Sequence, residues 1–250
     1  MKRWQLILAR SVMLLLVLAA WELAPRLGLV NAMILPPLSD VVAMLGTQLA
    51  RPVVREAILI TALEVIVSFV IAVPLGAAAG IAIAEFPYAG ALFKPMLFYV
   101  FSIPKSIFLP VFILAFGIGF EQKVAYAAFT TAFVVLMSAT AAVESVRSDY
   151  VLVARSFGAT PMQILWRVYV PCMMPILLET LRISMIFNFT GVMIAEMYAS
   201  RTGIGHLISN WGENFQMPQL FAGIIILSVV AIIFNETVRR LEARVSTWRT

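Results

Sequence analysis

Charged residues are scarce in this sequence. Only 12% of its 250 residues are Asp, Glu, Lys or Arg, and 62% are hydrophobic, whereas about 25% of the residues in soluble domains are charged. A soluble core of this size could not bury so much apolar surface. Together with a mean hydropathy of +0.98, this composition predicts an all-α polytopic membrane protein with one domain over residues 1–250.

Cysteine and histidine are almost absent. The single cysteine, Cys172, excludes an internal disulfide and a cysteine-rich metal site. It lies at the start of an apolar run, and we interpret it as a packing residue. The single histidine, His206, cannot form a metal site alone and is interpreted as a polar loop residue. No Ser-His-Asp set, carboxylate pair or metal-ligand spacing stands out, so we predict no catalytic residues, metal or cofactor in this chain.

A phosphate-binding loop is also missing. The P-loop requires Gly-Lys-Ser/Thr, and none of the four lysines, Lys2, Lys94, Lys105 and Lys123, follows a glycine. If ATP drives a process in which this protein takes part, the ATPase is therefore a separate polypeptide.

Long apolar runs account for most of the chain. The first run is interpreted as an uncleaved span rather than a signal peptide, and a short amphipathic stretch, Val41–Leu49, is predicted to lie on the outer membrane surface. Pro95, Pro104 and Pro110 predict that the third span is kinked or broken. We expect about six transmembrane helices: Ser11–Ala24, Glu56–Phe86, Ala91–Gly119, Val124–Val143, Cys172–Met197 and Leu220–Val238.

The distribution of basic residues predicts the topology. One side of the predicted membrane holds eleven of them: Lys2, Arg3, Arg10, Lys94, Arg147, Arg155, Arg167, Arg239, Arg240, Arg244 and Arg249. The other side holds five: Arg26, Arg51, Arg55, Lys123 and Arg201. The positive-inside rule therefore places both termini and the 147–171 segment in the cytoplasm. This rule explains the net charge of +5 better than nucleic-acid binding does.

The 147–171 segment is a polar interruption between apolar runs, and it carries alternating helix signals. Ser148 and Asp149 are typical of a helix start, and Gly158 can end that helix in a left-handed conformation. Thr160 and Gln163 have the spacing of a capping box, with a proline at the first helical position between them. The pattern predicts two short helices that form a rigid surface feature.

This segment resembles the EAA loop of ABC-importer permeases, whose pattern is E-A-A, three residues, Gly, nine residues and I-x-L-P. Leu152-Val153-Ala154 stands at E-A-A, Gly158 at the glycine and Val168–Pro171 at I-x-L-P, with Leu152 in place of the motif glutamate. The rest of the chain is similar to permeases of the nitrate, sulfonate and taurine importer group. The matching pieces are LPPLSDVV (35–42), IP…LPVFILAFGIG (103–119), VARSFGAT (153–160), LRIS (181–184), VMIAEM (192–197) and TGIGHLI (202–208).

The resemblance implies a non-catalytic permease subunit of an ATP-driven importer in the bacterial cytoplasmic (inner) membrane. Its importer core would cover about residues 55–245, after an N-terminal span and external segment (1–54). Expected partners are membrane lipid, a second copy of the chain, two ATPase subunits that carry ATP and Mg²⁺, and a periplasmic or extracellular binding protein that delivers a small anion such as a sulfonate, taurine or nitrate. The ATPases would dock on Asp149, Tyr150, Leu152, Ala154, Arg155, Phe157, Gly158 and Pro171.

An alternative that the kinked spans and buried charges also suit is an ATP-independent channel or ion-coupled carrier. No internal sequence repeat supports an inverted-repeat carrier. A membrane-embedded enzyme is a third class, but the sequence offers no convergent catalytic set for it.

Polar residues inside the predicted spans are candidates for a pathway or gate, because an intramembrane charge normally faces protein or water. Glu179 and Arg182 can pair along one helical face, as a structural ion pair or in the pathway. Lys105, beside a proline, suits either an anion path or a structural role. The full candidate set is Glu64, Lys105, Glu179, Arg182, Asn188 and Glu196.

The other three candidates differ in their expected partners. Glu64 has no local partner and is expected to meet Lys105 or Arg182. Asn188, like Thr190 nearby, is expected to bond a neighbouring helix more often than a solute. Glu196 stands in the V-x-A-E-M piece of the resemblance, which implies a gate or interface role.

Overall fold

The computed structural model describes residues 3–85 and 87–245; Lys2 and Arg249, which enter the topology prediction, lie outside them. The described residues form helices and contain no β-strand. The helices are α1 (Arg3–Arg26), α2 (Leu38–Ala50), α3 (Pro52–Glu85), α4 (Pro87–Ser102), α5 (Leu109–Phe116), α6 (Phe120–Glu144), α7 (Ser148–Ser156), α8 (Pro161–Ile164), α9 (Val170–Tyr198), α10 (Ile204–Glu213) and α11 (Met217–Val245), with a 3₁₀ turn at Lys105–Phe108 and a π-helix at Leu165–Tyr169.

Five helical stretches of the described residues are long and apolar enough to cross a membrane, and a bent pair raises this number to as many as six. The bent pair covers Gly90–Ser102 and Lys105–Phe116, which meet at 91°. The predicted all-α polytopic fold with about six spans is therefore confirmed.

The third span is broken as its prolines predict. The break lies at Ile103–Pro104, and a 3₁₀ turn then leads into α5, which ends at Gly117 with a φ of +77°. The sequence predicts a tight turn at Pro87–Gly90, between the second and third spans, and this prediction is wrong. These residues form the first turn of α4, because proline is well accommodated at a helix N-terminus, where its missing N–H has no partner to lose.

Helix α3 remains helical through Pro74 and packs closely on α6. A Cβ atom added at Gly76 would lie 2.5 Å from the Ala132 carbonyl oxygen, and one added at Gly80 would lie 2.5 Å from the Leu136 carbonyl oxygen. The two glycines therefore permit backbone contact that any side chain would prevent, as small residues commonly do between membrane helices. Helix α9 also packs closely on α6, since a Cβ atom at Gly191 would lie 2.8 Å from Thr130 Oγ1.

The 147–171 segment begins as predicted. Helix α7 ends before Gly158, whose φ is +73°. Thr160 then forms a complete capping box: its Oγ1 accepts a hydrogen bond from the Gln163 N–H at 3.3 Å, and its own N–H donates to Gln163 Oε1 at 2.8 Å.

The prediction that the second helix is short is wrong. Helix α8 continues through the π-helix into α9, so that Pro161–Tyr198 forms one 38-residue span. Pro171 lies just inside α9, directly after the π-helix. Proline cannot donate to the carbonyl one turn earlier, and a local widening to π geometry relieves the clash of its ring with that turn.

The chain divides into two compact units, Met1–Ile60 with Thr202–Val229, and Thr61–Arg201 with Val230–Thr250. In the first unit, the Trp21 indole donates to the Pro36 carbonyl at 3.1 Å. The Ser39 N–H and hydroxyl both bond the Glu22 carboxylate, at 2.9 and 3.0 Å. The sequence LPPLSD (35–40) is typical of a turn followed by a helix start and predicts that Ser39 or Asp40 caps α2. This prediction is wrong, because Pro37 holds the N-cap position and the Ser39 side chain bonds Glu22 on α1.

Candidate functional site

The second unit contains a cluster of buried charges that joins three helices. The ammonium group of Lys123 on α6 forms an ion pair with Glu64 on α3, and the two side chains are 1% and 0% exposed. Glu64 also interacts with Glu196 on α9, which is itself fully buried. Thr61 completes the cluster by donating its hydroxyl to Glu196 Oε1 at 2.6 Å.

This cluster corrects one sequence prediction. Glu64 meets neither Lys105 nor Arg182 but Lys123, which the topology argument had placed in an outer turn. Lys123 instead lies in the first turn of α6 and points into the bundle. Since the desolvation of a charge is costly and is offset only by close partners, the three charges hold α3, α6 and α9 together.

Asn188 is the centre of a second buried polar network. Its Oδ1 accepts hydrogen bonds from the Ser68 hydroxyl at 2.9 Å and the Thr131 hydroxyl at 3.1 Å, and its Nδ2 donates to the Val65 carbonyl at 2.8 Å. Asn188 therefore bonds neighbouring helices, as expected. Glu64, Asn188 and Glu196 all lie inside the bundle of one chain.

Lys105 caps the broken end of α4. Its ammonium group donates to the carbonyl oxygens of Val100 at 2.8 Å, Phe101 at 2.9 Å and Ile103 at 2.9 Å. These three bonds use every N–H of the ammonium group, and the cation lies where a helix C-terminus carries partial negative charge. Of the two roles open to Lys105, the structural one is present in this geometry.

A cavity of about 370 Å³ opens at the same break, within the second unit. Its wall is mostly apolar, with a few hydroxyl groups and one cation. It is lined by Phe101, Ser102, Ile103, Pro104, Lys105, Ser106, Tyr126, Thr130, Val134, Phe187, Thr190, Gly191 and Ile194.

Glu179 and Arg182 do not form the expected ion pair. Neither has an ion-pair partner among the described residues, and both are exposed on α9. The exposed side chains Ile183, Ile186 and Phe187 continue the same helix toward the cavity. A charge exposed to hydrocarbon costs roughly 2.5–3.5 kcal/mol on insertion scales, so this face of α9 is suited to water or a partner chain and not to lipid.

Helix α7 exposes large apolar side chains in an otherwise polar segment. Phe157 is 87% exposed, Leu152 is 66% exposed and Tyr150 is 49% exposed. They do not pack back on the membrane helices. Of the other residues predicted to dock a partner, Asp149, Arg155 and Gly158 are exposed, and Ala154 and Pro171 are half-buried. Asp149 pairs with Arg147 at 2.8 Å.

Two minor residues complete the comparison with the sequence. Cys172 is exposed, so its interpretation as a packing residue is wrong. His206 lies half-buried in α10 and not in an irregular loop. Sequence reasoning missed the role of Lys123, since a lysine at the end of an apolar run is an ordinary feature of membrane helices.

The arrangement of apolar helices, a broken span and an exposed helical segment between two spans is that of the membrane-spanning subunit of an ABC importer. A crystal structure of a bacterial ABC transporter that imports the acidic polysaccharide alginate shares this fold, with a TM-score of 0.68 at 17% sequence identity over 98% of both chains. Residues 72–247 match the family described as binding-protein-dependent transport system inner membrane component, and the chain belongs to that family.

Relatives confirm the group that the sequence pieces indicated. The chain is 28% identical to the taurine transport system permease protein TauC of Escherichia coli (strain K12), over 98% of this chain and 93% of that protein. It is 27% identical to the putative aliphatic sulfonates transport permease protein SsuC of Bacillus subtilis (strain 168), over 93% of this chain and 84% of that protein. The chain is thus similar to permeases over nearly its whole length.

Proposed function

We propose that this chain forms the translocation pathway of an ATP-driven importer for a small organic anion of the sulfonate or taurine type. Two copies enclose the pathway, two separate ATPase subunits bind ATP and Mg²⁺, and a soluble binding protein delivers the solute from outside. The observation that carries this proposal is the exposed apolar surface of α7, which lies on a chain without a P-loop of its own.

The geometry of the 147–171 segment supports docking of an ATPase. Contiguous exposed apolar side chains on a soluble surface mark interaction sites, and large aromatic residues dominate the energy of such interfaces. The positive φ of Gly158 and the capping box of Thr160 fix the angle between α7 and the long helix that follows. A displacement of α7 by a partner therefore reaches the membrane span through rigid elements.

The choice of solute is supported by the taurine and sulfonate relatives and by the charges that face away from the bundle interior. Arg182 and Lys105 are two cations of the membrane helices outside the buried cluster, and both lie on surfaces that a solute could reach. An importer for small anions has use for cations along its path, because they lower the cost of moving the solute's charge through a low-dielectric region.

The experiment is reconstitution of the chain in liposomes, alone and with its ATPase and binding protein. We expect ATP-dependent uptake of taurine or ethanesulfonate by the whole assembly and no uptake by the chain alone. Passage of solute without ATPase subunits would contradict the proposal and favour the channel or ion-coupled carrier.

The docking surface is tested by a double substitution, Leu152→Ala with Phe157→Ala. Truncation of two interface anchors is expected to weaken ATPase binding by about 10-fold to 1000-fold, since each anchor contributes roughly 1–2 kcal/mol or more. Met162→Ala is the matched control, because Met162 is also exposed but lies outside the set predicted to dock. Unchanged assembly and ATP-coupled uptake in the double variant would exclude this surface.

A further inference from the structure

Lys105 brings a positive charge that has no carboxylate partner among the described residues to the wall of the cavity at the broken span. Its three hydrogen bonds go to neutral carbonyl oxygens, which orient the ammonium group but do not cancel its unit charge. No carboxylate pairs with it among the described residues, whereas the other deeply placed lysine, Lys123, has Glu64 beside it. The rings of Phe101 and Phe133 also face the ammonium group, with their centroids 5.1 and 5.4 Å from Nζ. These contacts leave the unit charge in place, and a charge in an apolar environment is stabilised by a counter-charge.

Tyr126 supplies an unused hydrogen-bond donor to the same cavity. The residue is 1% exposed, yet its phenol has no hydrogen-bond partner among the described residues, although a buried tyrosine hydroxyl usually has one. The ring of Phe112 packs edge-on against the Tyr126 ring with centroids 5.7 Å apart, and Leu109 and Ala195 bury it further. Its position is therefore fixed without any polar partner.

Three of the four other hydroxyl groups of the wall are already engaged as donors, and the fourth belongs to Ser106. Ser102, Thr130 and Thr190 each donate to a main-chain carbonyl of their own helix, at 2.9, 2.9 and 2.8 Å. The cavity thus offers one fixed phenol donor, one positive charge and aromatic walls. This combination suits a small organic monoanion, whose charged head would meet Tyr126 and Lys105 while its apolar part contacts Phe101 and Phe187.

We infer that this cavity is a transient binding site for the imported solute inside the membrane domain. The ligand class is a short-chain organic sulfonate or carboxylate, and Tyr126 is the residue that hydrogen-bonds its anionic head. The inference rests on the proposed function and deepens it, because it gives the permease a solute site of its own. Binding at such a site must be weak, since a solute that binds tightly would not leave.

The test measures equilibrium binding of radiolabelled ethanesulfonate to the full chain in phosphatidylcholine nanodiscs, without ATPase, nucleotide or binding protein. We expect saturable binding in the millimolar range, competition by taurine and no competition by the cation choline. Tyr126→Phe removes one hydroxyl and should weaken binding by about 10-fold, in the range for a lost hydrogen bond to a charged group. Tyr99→Phe, on an exposed tyrosine outside the cavity, is the control and should bind normally.

A second variant tests the charge without removing the cap. Lys105→Gln keeps N–H donors for the carbonyl oxygens of α4, so the broken span retains its cap, and its thermal stability in detergent verifies folding. Binding should fall by more than 10-fold, because the negative charge of the solute no longer meets the positive charge of Lys105. Absence of saturable binding to the unsubstituted chain would overturn the inference. Binding by the Tyr126→Phe and Lys105→Gln variants with the same affinity as by the unsubstituted chain would also overturn it.

An acidic lipid head group has the same anionic chemistry, and a further arm separates the two sources. Addition of phosphatidylglycerol to the nanodiscs should leave ethanesulfonate binding unchanged. Two results together would assign the cavity to lipid instead. Phosphatidylglycerol would compete with ethanesulfonate for binding, and mass spectrometry would find the lipid on the unsubstituted chain but not on the Lys105→Gln variant. ATP-dependent uptake in liposomes is measured separately. Uptake without ethanesulfonate binding in the cavity would contradict only this inference. Binding in the cavity without ATP-dependent uptake would contradict only the proposed function.

Discussion

The two polar networks of the second unit differ in how much free energy is lost when a residue loses its partner. Asn188 exchanges neutral hydrogen bonds with groups that can also bond their own helices; Ser68, for example, donates to the Glu64 carbonyl at 2.6 Å as well. Such interhelical bonds in membranes contribute on average about 0.6 kcal/mol. The ion pair of Lys123 and Glu64 is a stronger commitment, because a buried charge left without a partner costs far more than a buried neutral group.

Replacement of Lys123 by methionine is therefore expected to destabilise the folded chain severely. The substitution leaves Glu64 and Glu196 beside each other without a cation, and removal of one partner of a buried pair costs about 3–5 kcal/mol. The measurement is the free energy of unfolding in mixed micelles. Adding Glu64→Leu to Lys123→Met should restore much of the loss.

The exposed pair of Lys94 and Glu144 provides the control, since its side chains are 33% and 52% exposed. Lys94→Met is expected to cost less than about 1 kcal/mol, as solvent already screens that pair. If Lys123→Met costs no more than Lys94→Met, the buried cluster does not hold the three helices together.

At the scale of the elements, the closest contact lies between α3 and α6. Gly76 and Gly80 are four residues apart and bring the α3 backbone against main-chain carbonyl oxygens of α6. The contact depends on the absence of side chains and not on attraction between particular groups, so its strength comes from van der Waals packing over the whole seam.

Substitution of Gly80 by alanine is expected to destabilise the fold by about 1–3 kcal/mol, because the added methyl group meets backbone atoms that cannot move aside. Gly46→Ala is the matched control. Gly46 lies in the interior of α2 with no atom within 4 Å of its added Cβ, so alanine should stabilise that helix by about 0.5–1 kcal/mol. Thermal unfolding of the two variants checks the prediction, which fails if both changes have the same sign.

Sequence patterns predicted the elements well wherever a local rule decides the structure. The broken third span follows from Pro104, and the capping box follows from the spacing of Thr160 and Gln163. They failed where a distant partner decides: Ser39 is drawn to Glu22, and the partner of Glu64 lies 59 positions away at Lys123. The length of α9 was also missed, because the π-helix before Pro171 lets a proline continue a helix that the residue usually ends.

For the whole molecule, the resemblance was sufficient to predict the class of protein, because several ordered pieces of sequence agree with one family. It could not decide which polar residues face the solute. Glu64, Asn188 and Glu196 looked equivalent to Arg182 in sequence, yet the structure buries the first three and exposes the fourth. Only the rotation of each helix within the bundle separates the two groups.

Cysteine accessibility can test which face of α9 lines the proposed pathway. In a chain carrying Cys172→Ser, we expect Phe187→Cys to react with a membrane-impermeant, charged methanethiosulfonate reagent, because Phe187 is 46% exposed on the face that follows Arg182. Met193→Cys, at a position that is 8% exposed on the same helix, should not react. Equal modification at both positions, measured by mass shift in the assembled transporter, would contradict the assignment of this face.

In the proposed transporter, the unbroken helix Pro161–Tyr198 joins the docking segment to the membrane span and acts as a lever arm. Its 38 residues correspond to about 57 Å at 1.5 Å per residue, long enough to reach from the aqueous surface across the whole bilayer. The π-helix at Leu165–Tyr169 sets the rotation of all later residues about the helix axis. Deletion of Val168 would return that turn to ordinary α geometry and rotate the residues after it by about 100° about the helix axis. Asn188 and Glu196 would then point away from the bundle, and a movement of the docking segment would reach a different face of α9.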